Sequence, residues 1–103
     1  MGELFLIGER LNSTRPSARK IFEERDERAL LASAKEQIER GAACIDLNAS
    51  MLMEREEETL RWGALAVRET LRVPVMLDSA DVSMLARLAG EFGASAILNS
   101  VPC

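Results

Sequence analysis

The sequence predicts an α/β fold with parallel strands, and three observations support this prediction. Four short apolar runs, at residues 4–7, 44–48, 74–78 and 96–98, alternate with stretches of helical periodicity. Strands that alternate with crossover helices are parallel, and their connections are right-handed. Each run also has acid or amide side chains at its carboxyl end, so a ring of polar groups is predicted along one edge of the sheet.

The first strand is predicted over residues 4–7, after which Gly8 lets the backbone turn away. Residues 13–17 are predicted to form a loop, because Pro16 disfavours helical geometry in the residue before it and small hydroxyl side chains favour turns. A short helical turn around residues 21–22 is expected to pack this loop down.

The first regular helix is predicted to begin after Asp26, which suits the N-cap position. Apolar and small residues then recur at three- and four-residue spacing as far as Ile38. Gly41 supplies the left-handed residue that commonly ends a helix. The second strand follows at residues 44–48.

Residues 49–53 are predicted to form a loop before the second helix, and the glutamates of residues 54–58 suit the positive end of that helix dipole. Trp62 lies off the apolar stripe of this helix and is predicted to cover a neighbouring helix or an interface rather than a ligand. Pro74 is expected to stop the helix and open the third strand. The stripe itself consists of Leu60, Ala64, Val67 and Leu71.

The third helix is predicted to begin after Asp81 as its N-cap and to close at Gly90 or Gly93. The fourth strand follows at residues 96–98. The elements together give four parallel strands and three covering helices in one domain that spans residues 1–103.

Two architectures fit this order of elements: an open doubly wound sheet and a part of a (β/α)8 barrel. Residues 8–12 contain no Gly-rich phosphate loop, so the nucleotide-binding sheet loses its main signature. The sequence therefore favours a partial (β/α)8 TIM barrel. A complete barrel needs roughly 250 residues. Either the C-terminal half is missing, or two copies pair their half-barrels into a homo-oligomer, and a non-catalytic, self-associating half-barrel is one alternative.

Composition excludes several classes of function. The net charge is −4 and there is no basic cluster, so nucleic acid is not an expected partner. The chain has no apolar run long enough to span a membrane and no signal-peptide pattern, so a cytoplasmic location is expected. Histidine is absent, which removes Ser-His and Cys-His nucleophile pairs and most zinc sites. Cys44 and Cys103 show no metal-ligand spacing, and Cys44 is predicted to be a core residue.

The predicted edge would bring together Asp78, Asn99, Asp46, Asn48 and Asn12. A carboxylate without a basic neighbour suits a ligand that offers two adjacent N–H donors. A 2-amino-4-oxopyrimidine ring does so through N3–H and its exocyclic amine, and an asparagine can read the rest of the ring edge. This chemistry does not make a pterin unique, since neighbouring acids also hold magnesium, although the mixture of Asp, Asn and Ser is a poorer match for that ion.

Four motifs carry a resemblance to a known family: IGERLNST at residues 7–14, GAACIDLN at 41–48, LDS at 77–79 and NS at 99–100. In this order, each at a strand end, they resemble the pterin-binding domain of methyltetrahydrofolate-dependent corrinoid methyltransferases. The match covers nearly the whole chain, but this chain corresponds only to the N-terminal half of that domain.

The resemblance implies a reaction and a set of site residues. The N5 methyl group of methyltetrahydrofolate would move to the cobalt of a corrinoid (cobalamin) carried by a partner protein or domain. Asp78 and Asn99 would bind the pterin ring, and Asn99 would also have a catalytic role. Further substrate-binding candidates beside them are Asp46, Asn48, Asn12 and Ser100.

Dihydropteroate synthase has the same fold and is the nearest alternative. It resembles this chain at Asp78 and Asn99, but its family typically has Asp-Thr and Asn-Asp where Ser79 and Ser100 follow those residues here. Its Ser-Thr-Arg-Pro motif follows the second strand, whereas the same four residues follow the first strand here, at residues 13–16. The methyltransferase interpretation is therefore preferred.

Overall fold

The chain forms an α/β fold around a four-stranded parallel sheet, as predicted. The computed structural model describes residues 7–92 and 96–99, with side chains over residues 10–92. Neighbouring strands in the sheet are also consecutive in the sequence. The strands are β1 (Ile7–Asn12), β2 (Cys44–Asn48), β3 (Val75–Asp78) and β4 (Ala96–Asn99).

Helical segments occupy every connection between these strands. The order of elements is β1, α1, α2, β2, a 3-10 segment, α3, β3, α4 and β4. The helical elements are α1 (Pro16–Glu24), α2 (Glu27–Glu39), the 3-10 segment (Ser50–Arg55), α3 (Glu56–Leu71) and α4 (Val82–Phe92).

The strand order positions the helices relative to the sheet. Right-handed crossovers that always advance in the same direction place their helices on one face of the sheet. In keeping with this, α2 packs against β1, β2 and α3, while α3 packs against β2 and β3. A doubly wound sheet reverses its order at a switch point, and the four described strands contain no such reversal.

Three predicted helix boundaries are confirmed. The Asp26 carboxylate accepts a hydrogen bond from the backbone N–H of Ala29 at 3.1 Å and caps α2. The Asp81 carboxylate does the same for Met84 at the start of α4, also at 3.1 Å. Gly41 has a φ of 108° just after α2, in the region that favours glycine.

The predicted turn at Gly8 was wrong, because β1 continues to Asn12. Gly8 itself pairs with Ile45 of β2, and the ladder becomes irregular before Leu11. Within this irregular stretch the backbone N–H of Arg10 donates to Gln37 Oε1 at 3.2 Å, so α2 provides the hydrogen bond that the ladder does not. Residues 4–6 of the predicted strand lie outside the described part.

The predicted loop over residues 13–17 was wrong from residue 16 onward, because α1 begins at Pro16. Arg15 is extended, with φ −89° and ψ 129°, as expected before a proline. A proline also suits the first position of a helix, where no N–H bond is needed. Ala18 and Phe22, one turn apart, are both buried and hold α1 against the sheet. The described part therefore has four α-helices rather than the predicted three.

Two smaller boundaries also differ from the predictions. Residues 50–55, partly predicted as a loop, form the 3-10 segment, which is broken at Met53 with φ 56° and ψ −121°. The second predicted helix, α3, ends through the left-handed Arg72, two residues before Pro74. Gly90 lies within α4, and Gly93 lies outside the described residues.

The core lies between the sheet and its helices. Trp62 is half-buried against this core, and the guanidinium of Arg25 lies over its ring at 5.9 Å, so Trp62 covers a neighbouring helix end, as predicted. Among the helices of the described ranges, none combines the length and hydropathy needed to cross a bilayer. Buried apolar residues of the core include Leu11, Ile45, Leu47, Val75 and Leu77 from strands and Phe22, Leu30, Leu60, Val67 and Leu88 from helices.

Candidate functional site

All four strands end in an asparagine or an aspartate. The register pairs Asn12 with Asn48 and Asp78 with Asn99. The pairing of Leu47 with Leu77, one residue earlier, aligns Asn48 with Asp78 in the same way. These four residues therefore form a lateral row across the carboxyl edge of the sheet, which we call the strand-end row.

Strand alternation places the side chains of Asn12, Asn48 and Asp78 on the sheet face opposite the helices. Leu47 and Leu77 point into the helix-packed core, so their neighbours along each strand face the other way. Asp46, only 6% exposed, lies on this second face beside Met76. Cys44 is buried on the same face, and burial, followed by the nearby Asp46 charge, raises the pKa of its thiol.

Asn48 lies at the centre of a hydrogen-bond network at this edge. Its Oδ1 accepts from Ser13 Oγ at 3.1 Å, from the Ser50 backbone N–H at 3.0 Å and from Ser50 Oγ at 2.8 Å. Its Nδ2 donates to Asp78 Oδ2 at 3.4 Å. The network thus links the ends of β1, β2 and β3 through one amide group.

Asn12 repeats the local part of this arrangement at the end of β1. Its Oδ1 accepts from the Thr14 backbone N–H at 2.9 Å and from Thr14 Oγ1 at 2.8 Å. This is the turn that asparagine side chains form with the backbone two residues on. In both asparagines the carbonyl end of the amide is held by the following loop.

Asp78 is half-buried and takes no part in starting the next helix. Asp81 caps α4, and its own backbone N–H donates to the buried Ser79 hydroxyl at 3.0 Å. No Lys or Arg of the described side chains forms an ion pair with Asp78. Its carboxylate can therefore accept N–H groups of a ligand at the open edge.

Comparison with known proteins identifies the family. Residues 8–103 match the sequence profile of a family described as pterin binding enzyme. The chain belongs to the pterin-binding enzyme family. The match extends over all four motifs of the predicted resemblance except the first residue of the first motif, and the family prediction is confirmed.

One protein of similar sequence is the methylcorrinoid:tetrahydrofolate methyltransferase of Eubacterium limosum. It is 35% identical over 98 residues, which cover 95% of this chain but 36% of that relative. This chain therefore spans little more than a third of the relative's length.

The structure brings together three of the predicted site residues, Asn12, Asn48 and Asp78, with Asp46 on the same sheet face. The backbone of Asn99 continues the row, but its side chain lies outside the described part, as does Ser100. The roles of all these residues in binding or catalysis stay predictions. Across the described residues, no three Asp, Glu, Cys or His side chains gather closely enough to hold a metal ion.

The sequence interpretation missed the hydroxyl residues that hold the two asparagines: Ser13, Thr14 and Ser50. The sequence predicts a loop at residues 13 and 14 and indicates no part for them in the site. A signal was present, because Asn is followed two positions later by Thr or Ser at the ends of both β1 and β2. That spacing is typical of side-chain turns that fix an asparagine.

Proposed function

We propose that the chain supplies the N-terminal half of a (β/α)8 barrel that binds a tetrahydrofolate at the carboxyl edge of its strands. The strand-end row carries this proposal, because ligands of parallel α/β folds bind at that edge. Family membership supports the pterin ring as the part that is recognised. The consecutive strand order supports the barrel.

Asp78 is the proposed anchor for the pyrimidine edge of the pterin. Its carboxylate would accept N3–H and the exocyclic amine, which present two parallel donors. Each hydrogen bond to a charged group contributes on the order of 1.5–3 kcal/mol net. Asn99 would read the remaining ring edge, with Asp46, Asn48, Asn12 and Ser100 nearby.

The proposed reaction is methyl transfer between N5 of the folate and the cobalt of a corrinoid on a partner protein or domain. With methyltetrahydrofolate as donor, the methyl group leaves the tertiary amine N5, which is a poor leaving group. The site must therefore stabilise a proton or positive charge at N5. Hydrogen-bonding amides such as Asn99 would do this better than a strong acid, because they act most strongly as charge develops.

The name of the Eubacterium limosum relative gives methylcorrinoid and tetrahydrofolate as the reacting pair. This supports a corrinoid protein as partner of the present chain, and it also supports the reverse direction, with tetrahydrofolate as acceptor. One site serves both directions, since the forward and reverse reactions share a transition state. The rest of the barrel, from a C-terminal half or a second copy, would complete the site.

Calorimetric titration of methyltetrahydrofolate into the chain tests the binding proposal. Asp78→Ala should weaken binding by at least about tenfold, because it removes two charge-assisted hydrogen bonds. Glu39→Ala is the matched control: it removes a carboxylate at the end of α2, which leads to the opposite edge of the sheet, and should leave binding unchanged.

Two results would contradict the proposal. Absence of heat with the unmodified chain would show that this chain does not bind the folate. Equal affinity of the unmodified chain and Asp78→Ala would remove Asp78 as the anchor. Light scattering on the same samples tests self-association, and a compact monomer would contradict pairing of two half-barrels.

A further inference from the structure

The side chain of Ser13 connects three parts of the strand-end edge although it is fully buried. Its Oγ accepts a hydrogen bond from the backbone N–H of Met51 at 3.1 Å and donates to Asn48 Oδ1 at 3.1 Å. Its backbone N–H donates to the Asn48 carbonyl oxygen at 2.7 Å. Ser13 thus fixes both the backbone and the side chain of Asn48 from the neighbouring strand.

The direction of these hydrogen bonds follows from their chemistry. A backbone N–H can only donate, so Ser13 Oγ accepts from Met51 and its single proton goes to Asn48 Oδ1. The Ser50 backbone N–H also donates to Oδ1, which identifies that atom as the carbonyl oxygen of the amide. The amino group of Asn48 must then face Asp78.

Ser13 and Ser50 contribute differently to this arrangement. Ser50 lies two residues from Asn48, so it moves with Asn48 and sets which end of the amide faces the edge. Ser13 belongs to the loop after β1, so it sets where the amide lies relative to the other strands. Directed chains of hydrogen bonds also strengthen one another in a buried setting.

We propose that Ser13 is a positioning residue that holds the Asn48 amino group beside Asp78, so that β2 presents a hydrogen-bond donor to the bound ligand. The ligand part of this statement rests on the proposed function, whereas the amide geometry does not. A displaced amide would move its amino group away from the Asp78 carboxylate and break the hydrogen bond between them. Ser13 opposes that state.

The amide geometry is tested by NMR of the side-chain amide of Asn48 in the chain without ligand. Ser13→Ala should shift this resonance and speed the exchange of its protons with solvent. Ser33→Ala is the matched control, because Ser33 is half-buried and its hydroxyl accepts from Gln37 Nε2 at 3.2 Å within α2. The control should lose a similar hydrogen bond without changing the Asn48 signal.

A double-mutant cycle tests the role in binding, with methyltetrahydrofolate as the probe. Ser13→Ala should weaken binding roughly three- to tenfold, the range for one hydrogen bond. The same substitution in an Asn48→Ala background should have no further effect, because Ser13 acts through Asn48. Affinities are compared well below the unfolding transition of each variant, so that lost stability does not count as lost binding.

The outcomes separate the two proposals. If the unmodified chain fails to bind the folate, the proposed function fails, while the NMR comparison still decides the role of Ser13. An unchanged Asn48 resonance in Ser13→Ala would overturn the positioning role. Equal losses of affinity from Ser13→Ala with and without Asn48 would overturn it as well.

Discussion

Replacing Asn48 by aspartate tests the orientation of the amide at the strand-end edge. The substitution preserves the shape of the side chain and an oxygen that can accept from Ser13 and Ser50. It replaces the amino group, 3.4 Å from Asp78 Oδ2, with a charged oxygen. Asn48→Asp therefore converts an attractive contact with Asp78 into a repulsive one and leaves the rest of the network in place.

The distance sets the magnitude of the effect. Two like charges at this separation repel by about 1 kcal/mol in water and by about 5 kcal/mol at an effective dielectric constant near 20. Both side chains are half-buried, so an intermediate value applies. We expect Asn48→Asp to lower the free energy of unfolding by about 2–3 kcal/mol at pH 7, including the lost hydrogen bond.

The pH dependence gives a second signature. A neighbouring like charge raises the pKa of the carboxyl introduced at position 48 above its ordinary value of about 3.9. The penalty is therefore complete above the raised folded-state pKa, and it disappears as the pH falls below the ordinary value. Urea unfolding of variant and parent at pH 7 and at about pH 3.5 measures both limits.

Asn12→Asp is the matched control, because it introduces the same charge at the neighbouring position of the row. Strands are about 4.8 Å apart, so position 12 lies roughly 10 Å from Asp78. Its repulsion is about 0.4 kcal/mol in water and about 1.7 kcal/mol at an effective dielectric constant near 20, roughly a third of that at position 48 in either case. Equal destabilisation by Asn12→Asp and Asn48→Asp would refute the inferred contact between Asn48 and Asp78. So would a penalty that persists unchanged in acid.

Three further predictions concern stability, each measured by urea unfolding. Met53→Gly should raise the free energy of unfolding by about 1 kcal/mol, because φ 56° with ψ −121° is costly for any residue with a side chain. A lower free energy of unfolding would show instead that the exposed methionine side chain stabilises the fold. Gly63→Ala should raise the free energy of unfolding by up to about 1 kcal/mol through helix propensity, since the new Cβ would lie 3.4 Å from Leu47 Cδ1, an ordinary contact. Gly90→Ala is the control for propensity alone, because its new Cβ meets nothing within 4 Å. Lower stability of Gly63→Ala beside higher stability of Gly90→Ala would mean that the core around residue 63 cannot accommodate the methyl group. Hydrogen bonding from Arg87, and to a lesser extent from Arg61, lowers the pKa of Glu57. The stabilisation from these ion pairs is therefore present above the ordinary carboxyl pKa and is lost as the pH falls through the lowered pKa. Glu57→Gln should destabilise the fold at neutral pH but not in strong acid, and equal destabilisation at the two pH values would contradict the ion pairs.

The features predicted correctly from the sequence depend on local interactions. Asp26 and Asp81 cap helices through N–H groups only three residues away, so their types and positions were sufficient evidence. Gly41 likewise ends α2 through its own backbone conformation. The ends of β2 and β3 followed from short, mainly apolar runs whose last residue is polar.

The incorrect predictions concern segments in which one residue type supports two structures. Pro16 restricts the residue before it, which suggested a loop, but it also suits the first turn of a helix, which is what forms. Gly8 permits a turn, yet it pairs with Ile45 once β2 lies alongside. Contacts with distant parts of the chain decided between the alternatives, and the type of a single residue does not indicate those contacts.

The hydroxyl network could not be derived from local sequence for a different reason. Ser13 and Asn48 are 35 residues apart, and they meet because β1 and β2 pair in one particular register. A serine in a predicted loop gives no indication that it will be fully buried. The repeated spacing from Asn12 to Thr14 and from Asn48 to Ser50 was visible, but it specifies a turn and not the contact between strands.

The strand ends differ in polarity, and this difference bears on the choice of ligand. At β1 and β2 the loop hydroxyls occupy the carbonyl oxygens of Asn12 and Asn48, so the amino groups are the ends turned to other partners. At β3 the Ser79 hydroxyl instead accepts from the backbone of Asp81, which leaves Asp78 as an acceptor. An edge with donors on two strands and an acceptor on the third suits a flat ring that presents both kinds of group along its rim. A magnesium ion takes oxygen ligands only, and the amino groups that Asn12 and Asn48 turn outward cannot serve as such ligands. The orientation of these amides is therefore a poorer match for that ion than for the proposed pterin.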